Sequence, residues 1–85
     1  MRPENKRMQE FLKNNGIKCH AKWIPDGSLK HTWHLWNTKI QWTSEIWDKL
    51  NGLGFHWIDG KPLGEHMGNG GVLSVCVYGH QDIAA

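Results

Sequence analysis

The sequence predicts an α+β domain of order αββαββ, a four-stranded, mainly antiparallel sheet with two helices packed on one face. Three observations carry this. Two stretches place apolar residues at helical spacing, four others alternate or run apolar over strand lengths, and Gly-, Pro- and Asn-containing turn signals separate them. At 85 residues the chain makes a single domain, residues 1–85, near the size at which one core is just sufficient. Six Trp and two Phe supply large buried areas, so such a core needs no staples.

Residues 3–14 read as the first helix. Pro3 suits a first helical position, and Met8, Phe11 and Leu12 form a narrow apolar stripe. Asn15-Gly16 is a stop signal, because Gly takes the left-handed conformation past a helix end. From Ile17 to Ile24 the chain alternates: Ile17, Cys19, Ala21 and Trp23 point one way, and Lys18, His20 and Lys22 the other. Ile24-Pro25-Asp26-Gly27 is turn chemistry, and Lys30 to Trp36 returns as the second strand of a hairpin. Trp33 and Leu35 share one face of that strand, and Thr32, His34 and Trp36 the other.

The second helix opens at Trp42-Thr43-Ser44-Glu45. Thr43 caps the free amides, Glu45 sits near the positive end, and Trp42 with Trp47 makes a hydrophobic staple. Ile46, Trp47, Leu50 and Leu53 form its buried stripe, and Asn51-Gly52 with Gly54 ends it. Phe55 to Ile58 reads as a short third strand before the Asp59-Gly60 turn. The segment GEHMGNGG, Gly64 to Gly71, reads as a bent loop. Val72 to Tyr78 is apolar at nearly every position, which predicts a central strand covered on both faces. Residues 1–2 and 80–85 are expected to fray. The end of the first helix, Phe11 to Ile17, lines up with Trp47 to Leu53, either through a duplicated αββ unit or because two helices end alike.

Charge is uneven. Residues 1–30 hold seven Lys/Arg against three carboxylates, and residues 31–85 hold three Lys against five carboxylates. A basic first half suits nucleic acid or an acidic protein surface, and the balance excludes an acidic nucleic-acid mimic. Two cysteines, one inward and one outward by strand parity, argue against a disulfide. With no apolar targeting stretch, the expectation is a reduced cytoplasmic protein.

If helices cover one sheet face, parity gives the other face Lys18, His20, Lys22, Thr32, His34, Trp36 and His56, with Ser74, Cys76 and Tyr78 beside them. Cations, imidazoles and aromatics interleaved on a sheet are what single-stranded nucleic acid needs for stacking and phosphate contact. The same residue types anchor protein interfaces. Lys18, His20, Lys22, Thr32, His34, Trp36 and His56, together with Asn69 in the glycine-rich loop, are the expected partner contacts. Six His invite a metal reading, but His31 and His34 fall on opposite faces of a strand and no pair has zinc-ligand spacing. The glycine loop lacks a P-loop Lys-Ser/Thr and leads into a strand. His56, Asp59, His66 and Asn69 lack the helix that a His-Asn-His nuclease site needs behind them. No cofactor, metal or catalytic set is predicted, and the chain reads as a non-enzyme.

Residues 52–80, GLGFHWIDGKPLGEHMGNGGVLSVCVYGH, with SLKHTWHLWN at 28–37, resemble small accessory proteins of bacteriophages and conjugative elements, a set that includes inhibitors of bacterial CRISPR defence. The resemblance covers about half the chain and transfers no functional residue. It implies a binding module, monomer or homodimer, that acts in the bacterial cytoplasm on a host nuclease or CRISPR-type defence complex. A single-stranded nucleic-acid binder using the open sheet face is the alternative.

Overall fold

The computed structural model describes residues 1–64 and 71–85. Helix α1 (Pro3–Asn14) leads into strands β1 (His20–Ile24) and β2 (Thr32–Gln41). Helix α2 (Ser44–Gly52), strand β3 (Val72–Val77) and a closing 3-10 helix (Gln81–Ala84) follow. Among the described residues the sheet has three antiparallel strands in the order β1-β2-β3.

Two-residue alternation decides which side chains enter the core. Cys19, Ala21, Trp33, Leu35, Leu73, Val75 and Val77 are buried together with Met8 and Leu12 of α1 and Leu50 of α2. Both helices therefore contribute to the cluster on one side of the sheet. Trp33 has no solvent exposure, and its indole N–H is satisfied by the His80 carbonyl at 3.2 Å. Removing about 200 Å² of indole from water is worth roughly 5 kcal/mol at most.

Both helices stop by one device. After α1, the Ile17 N–H donates to Leu12 O at 2.9 Å and Gly16 N–H to Lys13 O at 3.1 Å, with Gly16 left-handed at φ 86°. After α2, Phe55 N–H reaches Leu50 O at 3.1 Å and Gly54 N–H reaches Asn51 O at 3.0 Å, with Gly54 at φ 95°. These are Schellman closures, each with a buried apolar pair beneath it. They equate Gly16 with Gly54, so the expected alignment of Gly16 with Gly52 is displaced by two residues. At its start α2 has the expected cap and staple: Ile46 N–H donates to Thr43 Oγ1 at 3.3 Å, and the Trp42 and Trp47 rings lie 6.2 Å apart.

The fourth strand does not form. Phe55 to Ile58 contributes only a bridge between His56 and Tyr78. Beyond His56 the chain turns back, Trp57 N–H donating to Lys61 O at 3.0 Å and Gly60 N–H to Trp57 O at 2.9 Å, so its backbone groups serve the turn. Consequently β3 is an edge strand and β2 the central one. Only its alternate residues Leu73, Val75 and Val77 are buried, while Val72 is 46% exposed.

The C-terminal residues, expected to fray, are tied down. Arg7 donates to the Ile83 carbonyl at 3.2 and 3.0 Å and to the Ala85 carbonyl at 3.1 Å. His80 lies 4.8 Å from both Phe11 and Phe55 and hydrogen-bonds the Leu53 carbonyl. Gly79 makes this approach possible: a Cβ there would stand 2.8 Å from the Gly54 carbonyl oxygen.

Helix α1 also seals an edge of the sheet. Ala21 N–H donates to Gln9 Oε1 at 3.1 Å, and Trp23 N–H to Asn5 Oδ1 at 2.9 Å. Four helical residues rise about 6 Å and two strand residues about 6.6 Å, so side chains one turn apart meet alternate strand amides. Replacing Asn5 or Gln9 by Ala strands a half-buried amide and is expected to cost about 1–3 kcal/mol in urea unfolding. Lys13→Ala, on the exposed face of the same helix, should stay within about 0.5 kcal/mol. Equal stabilities for all three variants would contradict the edge seal.

Candidate functional site

The covered face of the sheet fixes the open one. His20 pairs with Trp36, which pairs in turn with Ser74, and Lys22 pairs with His34, which pairs with Cys76. Two rows of three outward side chains thus cross the strands. In the first row the His20 and Trp36 rings are stacked, centroids 5.3 Å apart and planes 27° apart. His34, two residues from Trp36 on the same face, stacks on it at 4.7 Å and 26°. The indole of Trp36 therefore carries an imidazole from its own strand and another from β1. His34 Nε2 lies 3.3 Å from Ser74 Oγ, which ties this group to β3. At the far end His56 stacks on Tyr78 at 6.2 Å, with its Nδ1 2.7 Å from the Trp57 carbonyl oxygen.

Of the residues named from sequence, His20, Lys22, His34 and Trp36 come together on this face, and Lys18 stands exposed just before β1. His56 lies at the margin beside Tyr78. Thr32 corrects the expectation. Although outward by parity, it is 1% exposed, and its hydroxyl donates to the Leu29 carbonyl at 2.6 Å, so it offers no contact surface. Asn69, with most of the glycine-rich loop, lies outside the described residues. No group of three or more His, Cys, Asp or Glu among the described residues is placed to hold a metal ion.

Electrostatics favour anions here. None of the strands contains an Asp or Glu; the described carboxylates all lie on helices and connections. Lys22 stands directly across from His34. Burial pushes the His34 imidazole below its ordinary 6.5, and the Lys22 charge acts in the same direction. Both cysteines are free. Burial pushes the Cys19 thiol up to about 11. It also raises Cys76, against a smaller opposing effect of its hydrogen bond with Thr32. Neither thiol has the lowered pKa of a reactive nucleophile.

Sequence reasoning missed one part of the site. It ended the second strand at Trp36, whereas β2 runs on to Gln41 through a register shift between Asn37 and Gln41. That irregular stretch brings Asn37, Thr38 and Lys39 to the edge of the face, where with Lys18, His20 and Trp36 they line a cleft of about 340 Å³. The polar run Asn-Thr-Lys breaks the alternation that precedes it, and this break was the available signal.

The lowered His34 pKa has a consequence for stability. The folded chain holds this proton less readily than the unfolded chain, so stability rises with pH across the titration. The His34 contribution is complete above about pH 6.5 and is lost as pH falls below that value. Urea unfolding between pH 7.5 and 5 should show a shallower acid loss for His34→Gln than for the unsubstituted protein. Identical slopes would contradict the assignment.

No helix among the described residues is long and apolar enough to cross a membrane. Set beside protein-family models, curated proteins and solved structures, the chain matches none of them.

Proposed function

We propose that this chain is a non-enzymatic binding module that holds a single nucleic-acid strand on its open sheet face. The observation that carries this reading is the composition of that face. It combines the stacked His20, Trp36 and His34 rings with flanking lysines, and no carboxylate lies on the strands. Aromatic rings accept bases of any sequence at about 1–3 kcal/mol each, and lysines track phosphates. Burial and the neighbouring Lys22 favour the neutral form of the His34 imidazole, and Lys18 and Lys22 supply positive charge beside the stack.

The resemblance to mobile-element accessory proteins supports a second reading, an inhibitor seated on a host nuclease or CRISPR-type defence complex in the bacterial cytoplasm. It uses the same face, with the half-buried Trp36 as its anchor and the complex's own nucleic acid or protein as the contact. Salt separates the two. Affinity for a single strand falls with a log–log slope of roughly 0.7 per phosphate neutralised, whereas an interface centred on an aromatic anchor responds weakly.

Fluorescence anisotropy with a labelled oligothymidylate, measured from 50 to 200 mM salt, is the test. Trp36→Ala should weaken binding by about tenfold, in line with the loss of a stacked base, and leave the salt slope unchanged. Lys22→Ala should lower the slope. Absence of oligonucleotide binding, with salt-insensitive retention of a defence nuclease instead, would replace this reading by the second one.

A further inference from the structure

The cleft at the edge of the open face has a construction that the face as a whole lacks. Lys18 precedes β1 and Lys39 lies in the irregular part of β2, so the sheet register alone does not hold them together. Asn37 does. Its Nδ2 donates to the Lys18 carbonyl at 2.7 Å, and its Oδ1 accepts from the Lys39 backbone N–H at 2.7 Å. One side chain thereby braces the backbones of both lysines. Between them the cleft is walled by the stacked His20 and Trp36 rings, with Thr38 completing the lining. Among the described residues no carboxylate lines it. Its volume, about 340 Å³, lies within the range of small-ligand sites.

We infer that this cleft is a nucleotide seat: Lys18 and Lys39 take a phosphate, and the His20–Trp36 wall takes the attached base. The inference rests on the open-face reading and deepens it by naming where the strand is gripped. Two lysines lining one cleft with no carboxylate among its described residues favour an anion, and a flat aromatic wall beside them favours one attached to a planar group. The geometry also gives a direction for the rest of the strand. A neighbouring cleft of about 550 Å³ shares Lys18, His20 and Asn37 with the seat. It continues toward α1, where Lys6 and Lys13 line it together with Glu10. A strand seated at Lys39 thus passes over the start of β1 and meets further cations along the helix. Asn37 is a positioning residue, since it faces the two backbones rather than the ligand.

The experiment is a salt series of oligothymidylate and oligoadenylate binding for the unsubstituted protein, Lys39→Ala, Lys18→Ala with Lys39→Ala, and Asn37→Ala, each checked for folding by circular dichroism. The lysine double variant should bind about tenfold more weakly, the loss expected for charge-assisted contacts. Its salt slope should fall by about 0.7, one phosphate on a single strand. Asn37→Ala should lower the slope in the same way while both lysines remain, which a general loss of stability would not do. Lys39 is exposed, so Lys39→Ala tests the seat even if Asn37→Ala fails to fold. Tight binding by the unsubstituted protein with unmoved slopes in Lys39→Ala and the double variant overturns the seat and leaves the open-face reading standing. No binding of either oligonucleotide by the unsubstituted protein overturns both.

Discussion

Trp33 sits without solvent contact beneath the middle strand of the sheet, and the two-residue period of a strand then leaves no choice about its neighbours. Burying Trp33 and Leu35 puts His34 and Trp36 on the far side, where cross-strand pairing sets His20, Lys22, Ser74 and Cys76 beside them. A one-residue slip would bury a lysine and two imidazoles and expose the largest core side chain. Register is therefore enforced by the core, and the composition of the open face follows from it. With both helices packed on the other side and β3 at an edge, nothing among the described elements packs across the centre of that face.

Two features outside the sheet maintain this one-sided arrangement. Asn5 and Gln9 occupy the outer amides of β1, which holds α1 along that edge and keeps it off the open face. In the C-terminal segment the His80 ring lies against Phe11 and Phe55, its carbonyl satisfies Trp33, and Arg7 ties down the residues that follow. The first helix is thus fixed both to the first strand and to the last residues of the chain. Its lysines end up beside the start of β1, next to the cleft braced by Asn37, and the basic bias of the first thirty residues acquires a location.

Much of this was legible in the sequence where local chemistry decides the outcome. Pro3 and Gly16 bound the first helix, Thr43 and the Trp42–Trp47 pair start the second, and alternation assigns the faces of β1 and of β2 as far as Trp36. What was not legible depends on distant partners. The Asn51-Gly52 pair looks like a helix stop, but Asn51 is still helical and spends its side chain on Leu63, donating to its carbonyl and accepting from its N–H. The closure falls at Gly54, the later of the expected stop residues. Val72 to Tyr78 looks central because Val, Cys and Tyr all read as apolar, yet the expected neighbour beyond it turns away after His56. The C-terminal residues carry no pattern of their own and are ordered by Arg7, 76 positions away from Ile83 in sequence. The break in alternation at Asn37 to Lys39 marks an irregularity, but where the register shift carries these residues depends on the pairing with β3.

If the proposed ligand meets the outward rows of the sheet, amide and indole chemical shifts will report it. Adding an oligothymidylate to isotope-labelled protein should shift the amides of His20, Lys22, His34, Trp36 and Ser74 and the Trp36 indole N–H, while the Trp33 indole and the α2 amides hold still. Shifts concentrated on α2 or on the 3-10 helix, with the Trp36 indole unmoved, would contradict it.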